Sequence, residues 1–262
     1  FLMAIFLIIL SLNSNGYEFR DKNLTTFNSG SELSFVSGTN YIAENSIQCI
    51  NRDSIDQSCT FNDSDKKIFI IGDSVMSSIV SGFVDNKDLV TYKIIEFTRG
   101  GCPLLINYCE FFEGSGKYKE LSSITNSIII FGGQYLPYEN NTDFGESLLE
   151  TVKLFVKDNK VFFYGTFPSP GVNVRMYKQI NKIYPETNQT FADNEKTKVE
   201  ILLQLEDIEN LHVINPRDIF CSSKLCKYYS DSHYFYIDHI HFGYYGAKKI
   251  GNHFVNNFLD TS

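Results

Sequence analysis

The stretch Lys67–Ser74, KIFIIGDS, decides the fold predicted for this chain. Its apolar residues, Ile68 to Ile71, form the short continuous run that is typical of an interior parallel strand. Gly72 allows a sharp turn, and either Asp73 or Ser74 can cap the helix that follows. The stretch therefore predicts a serine at the carboxyl end of a strand and the positive end of a helix, where α/β proteins place their chemistry. Taken alone, it also fits an ordinary strand-to-helix turn with a capping serine.

Composition narrows the class of protein. With 262 residues, the chain is long enough for one sizeable α/β domain or two small ones. Its formal net charge of -8 argues against a nucleic-acid-binding protein and gives no sign of a polybasic membrane patch. Because no nucleotide or metal motif is visible, we predict neither a cofactor nor a metal site.

The six cysteines fall into three close pairs along the chain. An even count in local pairs, without CxxC spacing or clustered histidines, suggests small disulfide-closed loops more than a metal site. Disulfides would place the domain in an oxidising compartment. The alternative is a set of unrelated free thiols in a cytosolic protein. The predicted pairs are Cys49 with Cys59, Cys102 with Cys109, and Cys221 with Cys226.

The N-terminal segment is dense in apolar residues. The run Phe1–Leu12, FLMAIFLIILSL, is too short to span a bilayer, which needs about twenty apolar residues. It fits either the hydrophobic part of a signal peptide or the outer end of a transmembrane helix, whereas a core helix would have a polar face. We therefore assign residues 1–16 to the end of a transmembrane helix or a signal-peptide remnant. Residues 17–66 are predicted to be a polar linker that wraps onto a domain over residues 67–262.

Downstream of residue 66, predicted strands alternate with predicted helices. Such alternation implies parallel βαβ units with right-handed crossovers, hence an open sheet with helices on both faces. We therefore predict one three-layer α/β/α domain of flavodoxin-like type around a five-stranded parallel sheet. The strands are expected over 67–72, 89–98, 127–131, 161–164 and 211–214, and the helices over 74–83, 144–157, 192–205 and 244–259.

A second segment with candidate catalytic residues lies just before the last predicted helix. This segment, YIDHIHFGYYGA, carries Asp238, His239 and His241. An Asp three residues before a His can fix the imidazole in one tautomer and leave its other nitrogen free to accept a proton from a serine. Because a serine is a poor nucleophile at neutral pH without such a base, this pair makes Ser74 a candidate nucleophile.

In their order along the chain, these motifs resemble the signature blocks of the SGNH (GDSL) hydrolase superfamily, which has the flavodoxin-like fold. The matching blocks are Gly72-Asp73-Ser74, a glycine in the loop TRGGCP, and Asp238-x-x-His241, spread over residues 67–258. The resemblance implies that Ser74 is the nucleophile, His241 its base and Asp238 the acid that orients the base. His239 is a competing candidate for the base, although the spacing favours His241.

The same resemblance implies an oxyanion hole. The backbone N–H groups of Ser74 and of a glycine in TRGGCP, in the first place Gly101, would bind the oxyanion. The family's third block is Gly-x-Asn, whose amide completes the hole, but the matching stretch here is Gly132-Gly133-Gln134. Gln134 carries the same donor on a longer arm and is the candidate for the third donor. His212 and His233 have no motif around them and are expected to be structural.

A narrower resemblance is to the C-terminal SGNH domain of bacterial surface O-acetyltransferases of the acyltransferase 3 family. It rests on the apolar start that ends in NGYEFR, on GGCPLL, on the CSSKLC loop and on YxDxxHxxxxGA. It implies a membrane acyltransferase 3 domain in the same full-length chain, in the bacterial cytoplasmic membrane, with the SGNH domain on the periplasmic side. Ser74 would take up an acyl group, usually acetyl, and pass it to a sugar hydroxyl of a surface glycan such as lipopolysaccharide.

Two other functions remain open on the sequence. A secreted carbohydrate acetylesterase would use the same residues, with the apolar run as its signal peptide. A catalytically silent glycan-binding module would keep the fold without the chemistry, and the glutamine at position 134 is its only support.

Overall fold

The structure is a computed structural model that describes residues 49–108, 111, 114–135, 143–170, 190–192, 205, 208–222, 225–230 and 233–259. The apolar segment 1–16 and most of the predicted linker lie outside these ranges. None of the helices within them has both the length and the apolar character that crossing a membrane requires.

Strands and helices alternate through the central part of the described chain. The strands are β1 (Cys59–Phe61), β2 (Lys67–Gly72), β3 (Lys93–Thr98), β4 (Ile128–Gly132), β5 (Lys160–Tyr164), β6 (Thr190–Ala192), β7 (Leu211–Ile214), β8 (Cys221–Ser222), β9 (Leu225–Lys227), β10 (Tyr229–Ser230) and β11 (His233–Tyr234). The α-helices are α1 (Ser74–Val84), α2 (Gly116–Ser122), α3 (Phe144–Val156), α4 (Arg217–Phe220) and α5 (Tyr244–Phe258). Short 3-10 helices lie at Ile55–Gln57 and Lys87–Leu89.

The central sheet has six strands in the order β1-β3-β2-β4-β5-β7. The last five run parallel to one another, which confirms the predicted five-stranded parallel sheet. Their order, in which the second parallel strand along the chain lies outside the first, is that of flavodoxin-like folds. The antiparallel edge strand β1 was not predicted, because three residues in a polar segment carry no periodic signal.

Helices cover both faces of this sheet. Successive side chains along each strand point to opposite faces, so every strand contributes to two separate cores. One core packs against α1 and α5, and the other packs against α3, which confirms the three-layer α/β/α arrangement. The first core includes Ile68, Ile70, Ile130 and Phe162 with Ile79, Phe83, Ile250 and Phe254, and the second includes Phe69, Ile71, Phe131 and Phe163 with Leu148, Val152 and Phe155.

Two glycines let α1 and α5 pack at close range. A Cβ on Gly82 of α1 would lie 1.9 Å from the carbonyl oxygen of Ala247 in α5. A Cβ on Gly251 of α5 would lie 2.0 Å from the carbonyl oxygen of Gly82. Larger side chains at these positions would push the helices apart, so the start of α1 and the segment before α5 are held in a fixed relation.

Two predicted boundaries differ from the structure. The second parallel strand was expected from residue 89, but residues Lys87–Leu89 form a 3-10 helix, because the side chain of Asn86 accepts the N–H of Asp88 and caps this turn. The helix expected over 192–205 is wrong at its start, because Ala192 ends strand β6, which pairs with β9. Residues 193–204 lie outside the described ranges.

Part of the segment before residue 67 joins the sheet. Residues Cys59–Phe61 pair with β3, with Cys59 opposite Glu96. A disulfide joins Cys59 to Cys49, so the chain from residue 49 onward is tied to the edge of the sheet. The domain boundary at residue 67 stays a prediction, but the sheet clearly recruits residues that precede it.

Candidate active site

The carboxyl ends of neighbouring parallel strands lie level with one another. Gly72, at the end of β2, pairs with Thr98 of β3 and with Gly132 of β4. Tyr164 of β5 in turn pairs with Gly132. The loops that follow these strands therefore start side by side, at the edge where open α/β sheets bind ligands.

The turn after β2 places Ser74 at this edge. Gly72 has a φ of 147°, and a Cβ there would lie 2.0 Å from the carbonyl oxygen of Gly132. Asp73 caps α1, because its Oδ1 accepts the N–H of Val75 at 2.8 Å. Ser74 is the first residue of the helix and is half-buried. The strand, the turn and the helix start predicted from KIFIIGDS are all present.

The structure brings Ser74, His241 and Asp238 into one hydrogen-bonded series. The Oγ of Ser74 lies 2.8 Å from Nε2 of His241, and Nδ1 of His241 lies 2.7 Å from Oδ2 of Asp238. When Nδ1–H is donated to the carboxylate, the lone pair of Nε2 faces the serine hydroxyl and can accept its proton. The series thus has the geometry of a nucleophile, a base and an orienting acid.

Asp238 is held as a carboxylate by its surroundings. Burial alone would raise its pKa, but hydrogen bonds from the His241 side chain and from the backbone N–H groups of His241 and Ile240, with the charge of His241, lower that pKa to about 2. Its Oδ1 accepts both backbone hydrogen bonds at 2.8 Å. A carboxylate bonded in three directions fixes the plane of the imidazole and its tautomer.

Asp73 is a second carboxylate at the site, and it faces backbone groups. Its Oδ2 accepts the N–H of Gln134 at 2.7 Å, so the carboxylate joins the turn after β2 to the loop after β4. Burial raises the pKa of Asp73, although backbone hydrogen bonds from Gln134, Val75 and Met76 and the charge of His241 oppose this rise. The sequence predicted only the helix cap, because nothing in it relates Asp73 to a backbone group 61 residues away.

The predicted oxyanion donors lie in the loops after β3 and β4. Gly101 has a φ of 67° with open space beside its Cα, and the preceding Arg99 donates its N–H to the carbonyl of Gly72 at 2.9 Å. Gln134 is 8% exposed, and its side-chain Oε1 is buried without a hydrogen-bond partner among the described residues. The roles of Gly101 and Gln134 as oxyanion donors stay predictions.

The other histidines lie in different surroundings. The side chain of His239 is 60% exposed, and its Nδ1 lies 4.0 Å from Oδ1 of Asp238. The His212 ring stacks on Phe162 at 4.8 Å, and the His233 ring lies 3.6 Å from that of Tyr245. Across the part of the chain that the structure describes, no cluster of His, Cys, Asp and Glu side chains could hold a metal ion.

The cysteines among the described residues form disulfides. The structure contains the predicted Cys49–Cys59 and Cys221–Cys226 bonds. Cys102 is also disulfide-bonded, while its predicted partner Cys109 lies outside the described residues. Such bonds persist in oxidising compartments.

Sequence reasoning missed one buried acid close to the site. Glu96 lies in β3 and is 0% exposed, and its Oε1 accepts hydrogen bonds from the hydroxyls of Ser77 in α1 and Thr98 at the end of β3. Burial raises its pKa to about 7, although both hydroxyls oppose the rise. The only signal in the sequence was a lone acid inside an apolar strand, KIIEFT.

Comparisons with known proteins agree with this architecture. A protein-family model described as an SGNH domain fused to AT3 domains matches residues 48–256. The solved periplasmic domain of a lipopolysaccharide acetyltransferase from Salmonella ser. Paratyphi A is similar in fold, with a TM-score of 0.63 and 17% sequence identity. This similarity covers 85% of the present chain and 93% of the Salmonella chain. No curated protein is significantly similar to the chain in sequence.

Proposed function

Because the chain belongs to the family of SGNH domains that are fused to AT3 domains, we propose that it is the extracytoplasmic domain of a glycan O-acyltransferase. Its proposed chemistry is serine-dependent transfer of an acyl group, in the first place acetyl, to a sugar hydroxyl. The observation that carries this proposal is the series from Ser74 Oγ through His241 to Asp238, with hydrogen bonds of 2.8 and 2.7 Å.

The first half of the proposed reaction loads the serine. Ser74 Oγ attacks the carbonyl carbon of the acyl donor while Nε2 of His241 takes the hydroxyl proton, and Asp238 stabilises the resulting imidazolium. The negative charge on the carbonyl oxygen would be bound by the backbone N–H groups of Ser74 and Gly101 and by the amide of Gln134. When the donor's leaving group departs, it receives the proton from His241, and an acyl ester remains on Ser74.

The second half transfers the acyl group to the acceptor. A sugar hydroxyl attacks the acyl carbon of the Ser74 ester while His241 accepts the hydroxyl proton. The intermediate collapses to the acylated sugar, and His241 returns the proton to Ser74 Oγ. The same steps with water as acceptor would make the domain an acetylesterase, so the identity of the acceptor decides between the two functions.

The family also supports a partner and a location. In this family the SGNH domain is fused to an AT3 domain, which we propose supplies the acyl group from the bacterial cytoplasmic membrane in the same full-length chain. The disulfides fit the oxidising periplasm. The Salmonella domain of similar fold comes from a lipopolysaccharide acetyltransferase, which makes a lipopolysaccharide the first acceptor to test.

A fluorophosphonate labelling experiment tests the proposed nucleophile. The chain should be labelled on Ser74, as located by mass spectrometry, and Ser74→Ala should abolish the label. Ser122→Ala is the control, since its exposed hydroxyl donates to the carbonyl of Lys119 in α2. A folded chain without label on Ser74 would overturn the proposal.

A transfer assay tests the acceptor. The chain is incubated with an activated acetyl ester, with and without de-O-acetylated lipopolysaccharide. We expect acetyl esters to form on the polysaccharide with the unmodified chain and not with the Ser74→Ala variant. Hydrolysis of the ester without any transfer would instead favour the acetylesterase.

A further inference from the structure

The disulfide-closed segment from Cys49 to Cys59 lies against the loop that follows β3. Asp53 of this segment lies near Arg99 of the loop, with Oδ1 and Nη1 4.0 Å apart, and Asn51 makes two hydrogen bonds to the loop. The N–H of Asn51 donates to the carbonyl of Thr98 at 2.9 Å, and Oδ1 of Asn51 accepts the N–H of Gly100 at 2.8 Å. Asn51 thus bonds the loop at two points, directly before Gly101.

Asn51 is itself fixed in place. Its neighbours Cys49 and Ile50 are 0% and 3% exposed, and the disulfide ties Cys49 to Cys59 in strand β1. Asn51 has a φ of 64°, a left-handed conformation that asparagine tolerates better than most residues. The side chain is therefore presented to the loop from a rigid support.

The loop is anchored on its other side to the serine turn. Arg99 donates its N–H to the carbonyl of Gly72 at 2.9 Å, two residues before Ser74. The hydroxyl of Thr98 donates to the buried Glu96 at 2.8 Å. Thr98 to Gly100 thus lies between Asn51 and the turn that carries the serine, and Asn51 supplies two hydrogen bonds on the outer side.

We infer that Asn51 is a positioning residue for acyl transfer. By accepting the N–H of Gly100, it fixes the Arg99–Gly100 peptide unit. The following unit, which carries the N–H of Gly101, is thereby oriented for the oxyanion that the proposed reaction forms. The inference rests on the proposed function and adds to it a role for the disulfide-closed segment. Since the oxyanion develops only in the transition state, loosening this unit should lower kcat and leave KM nearly unchanged.

The test compares Asn51→Gly with a matched control, Asn62→Gly. Glycine keeps the left-handed backbone at residue 51 but removes the Oδ1 acceptor. Asn62 has a nearly identical φ of 62°, and its side chain donates instead to the carbonyl of Tyr92. Both variants of the chain are assayed for hydrolysis of p-nitrophenyl acetate, and melting temperatures are measured in parallel.

We expect Asn51→Gly to lower kcat about tenfold, less than the 10²–10³ that loss of a whole oxyanion donor costs. KM should stay within about twofold, because ground-state binding is untouched. Asn62→Gly should keep the kcat of the unmodified chain. Asn51→Asp retains the acceptor and should be faster than Asn51→Gly.

Equal kcat values for Asn51→Gly and Asn62→Gly would overturn the inference, as would an Asn51→Asp variant slower than Asn51→Gly. A loss confined to KM would also contradict it. An unmodified chain that is folded but neither hydrolyses the ester nor takes up fluorophosphonate overturns the proposed function and the inference with it. The two failures are therefore distinguishable.

Discussion

Two carboxylates flank Ser74, and they differ in what they face. Asp238 lies beside an imidazole that becomes charged during the proposed reaction, and its pKa is lowered to about 2 by hydrogen bonds that outweigh its burial. Asp73 lies beneath the serine turn and faces backbone N–H groups, and burial raises its pKa despite those bonds. The difference indicates that Asp238 responds to the chemistry, whereas Asp73 holds two loops in place.

Asp238→Asn is the substitution with the largest expected effect on activity. An asparagine can donate to Nδ1 of His241 and stabilise the wrong tautomer, so that Nε2 no longer accepts the serine proton. We expect kcat for p-nitrophenyl acetate to fall about 10³- to 10⁴-fold. The melting temperature should also fall, because a pKa of about 2 means that the folded state favours the carboxylate that the amide replaces. A variant with near-normal kcat would show that the carboxylate does not orient the base.

Glu96→Gln extends the comparison to a buried carboxyl that accepts hydrogen bonds from two hydroxyls. Burial raises the pKa of Glu96 from 4.5 to about 7. A raised pKa means that the folded state holds the proton more tightly, so this contribution to stability is present below pH 4.5 and is lost as the pH rises through 7. Over that range the unmodified chain should lose about 3 kcal/mol of unfolding free energy that the glutamine variant keeps.

The measurement is urea unfolding of both proteins between pH 4.5 and 8. The two unfolding free energies should be similar at the acidic end, where Glu96 is neutral in the folded state, and should separate toward pH 8 in favour of the variant. Parallel curves across the range would show that Glu96 does not titrate with folding.

Asp73→Asn should affect stability more than the chemistry. The amide can accept only one of the two N–H groups that the carboxylate accepts, from Val75 at 2.8 Å and Gln134 at 2.7 Å. The NH₂ group of the asparagine then faces the other backbone N–H, which is left buried without an acceptor. This should cost about 1–3 kcal/mol of unfolding free energy. We expect a smaller loss of kcat, about tenfold, through displacement of the loop after β4.

Ser115→Ala provides the control for this third prediction. Ser115 caps α2 by accepting the N–H of Tyr118 at 3.1 Å, a bond within its own helix end. Its loss should cost about 1 kcal/mol and leave kcat unchanged. If Asp73→Asn likewise lowered stability alone, Asp73 would be an ordinary helix cap, and the distinction between the two carboxylates would lose its functional meaning.

The sequence was informative where the signal is local. Short apolar runs predicted the parallel strands, and the spacing of Asp238 and His241 predicted a pair whose hydrogen bond is made within one turn of chain. The contact between Ser74 and His241 could be expected as well, because parallel strands deliver their loops to one edge of the sheet.

Features that depend on distant partners were not predictable. Strand β1 forms because Cys59, Thr60 and Phe61 pair with β3. Three residues are too few to show a periodicity that would predict this pairing. The second role of Asp73 depends on the N–H of Gln134. In the same way, Glu96 is buried because α1 packs over β3, although an acidic side chain by itself favours exposure to water.

The close contact between α1 and α5 has a consequence for the chain while it is being synthesised. Ser74 belongs to the first helix of the domain, and its partner His241 arrives 167 residues later, just before the last. A nascent chain therefore carries Ser74 through most of its synthesis without His241 beside it. Under the proposed function, Ser74 would become reactive once the last described helix docks against Gly82, so an unfinished domain would not acylate other molecules.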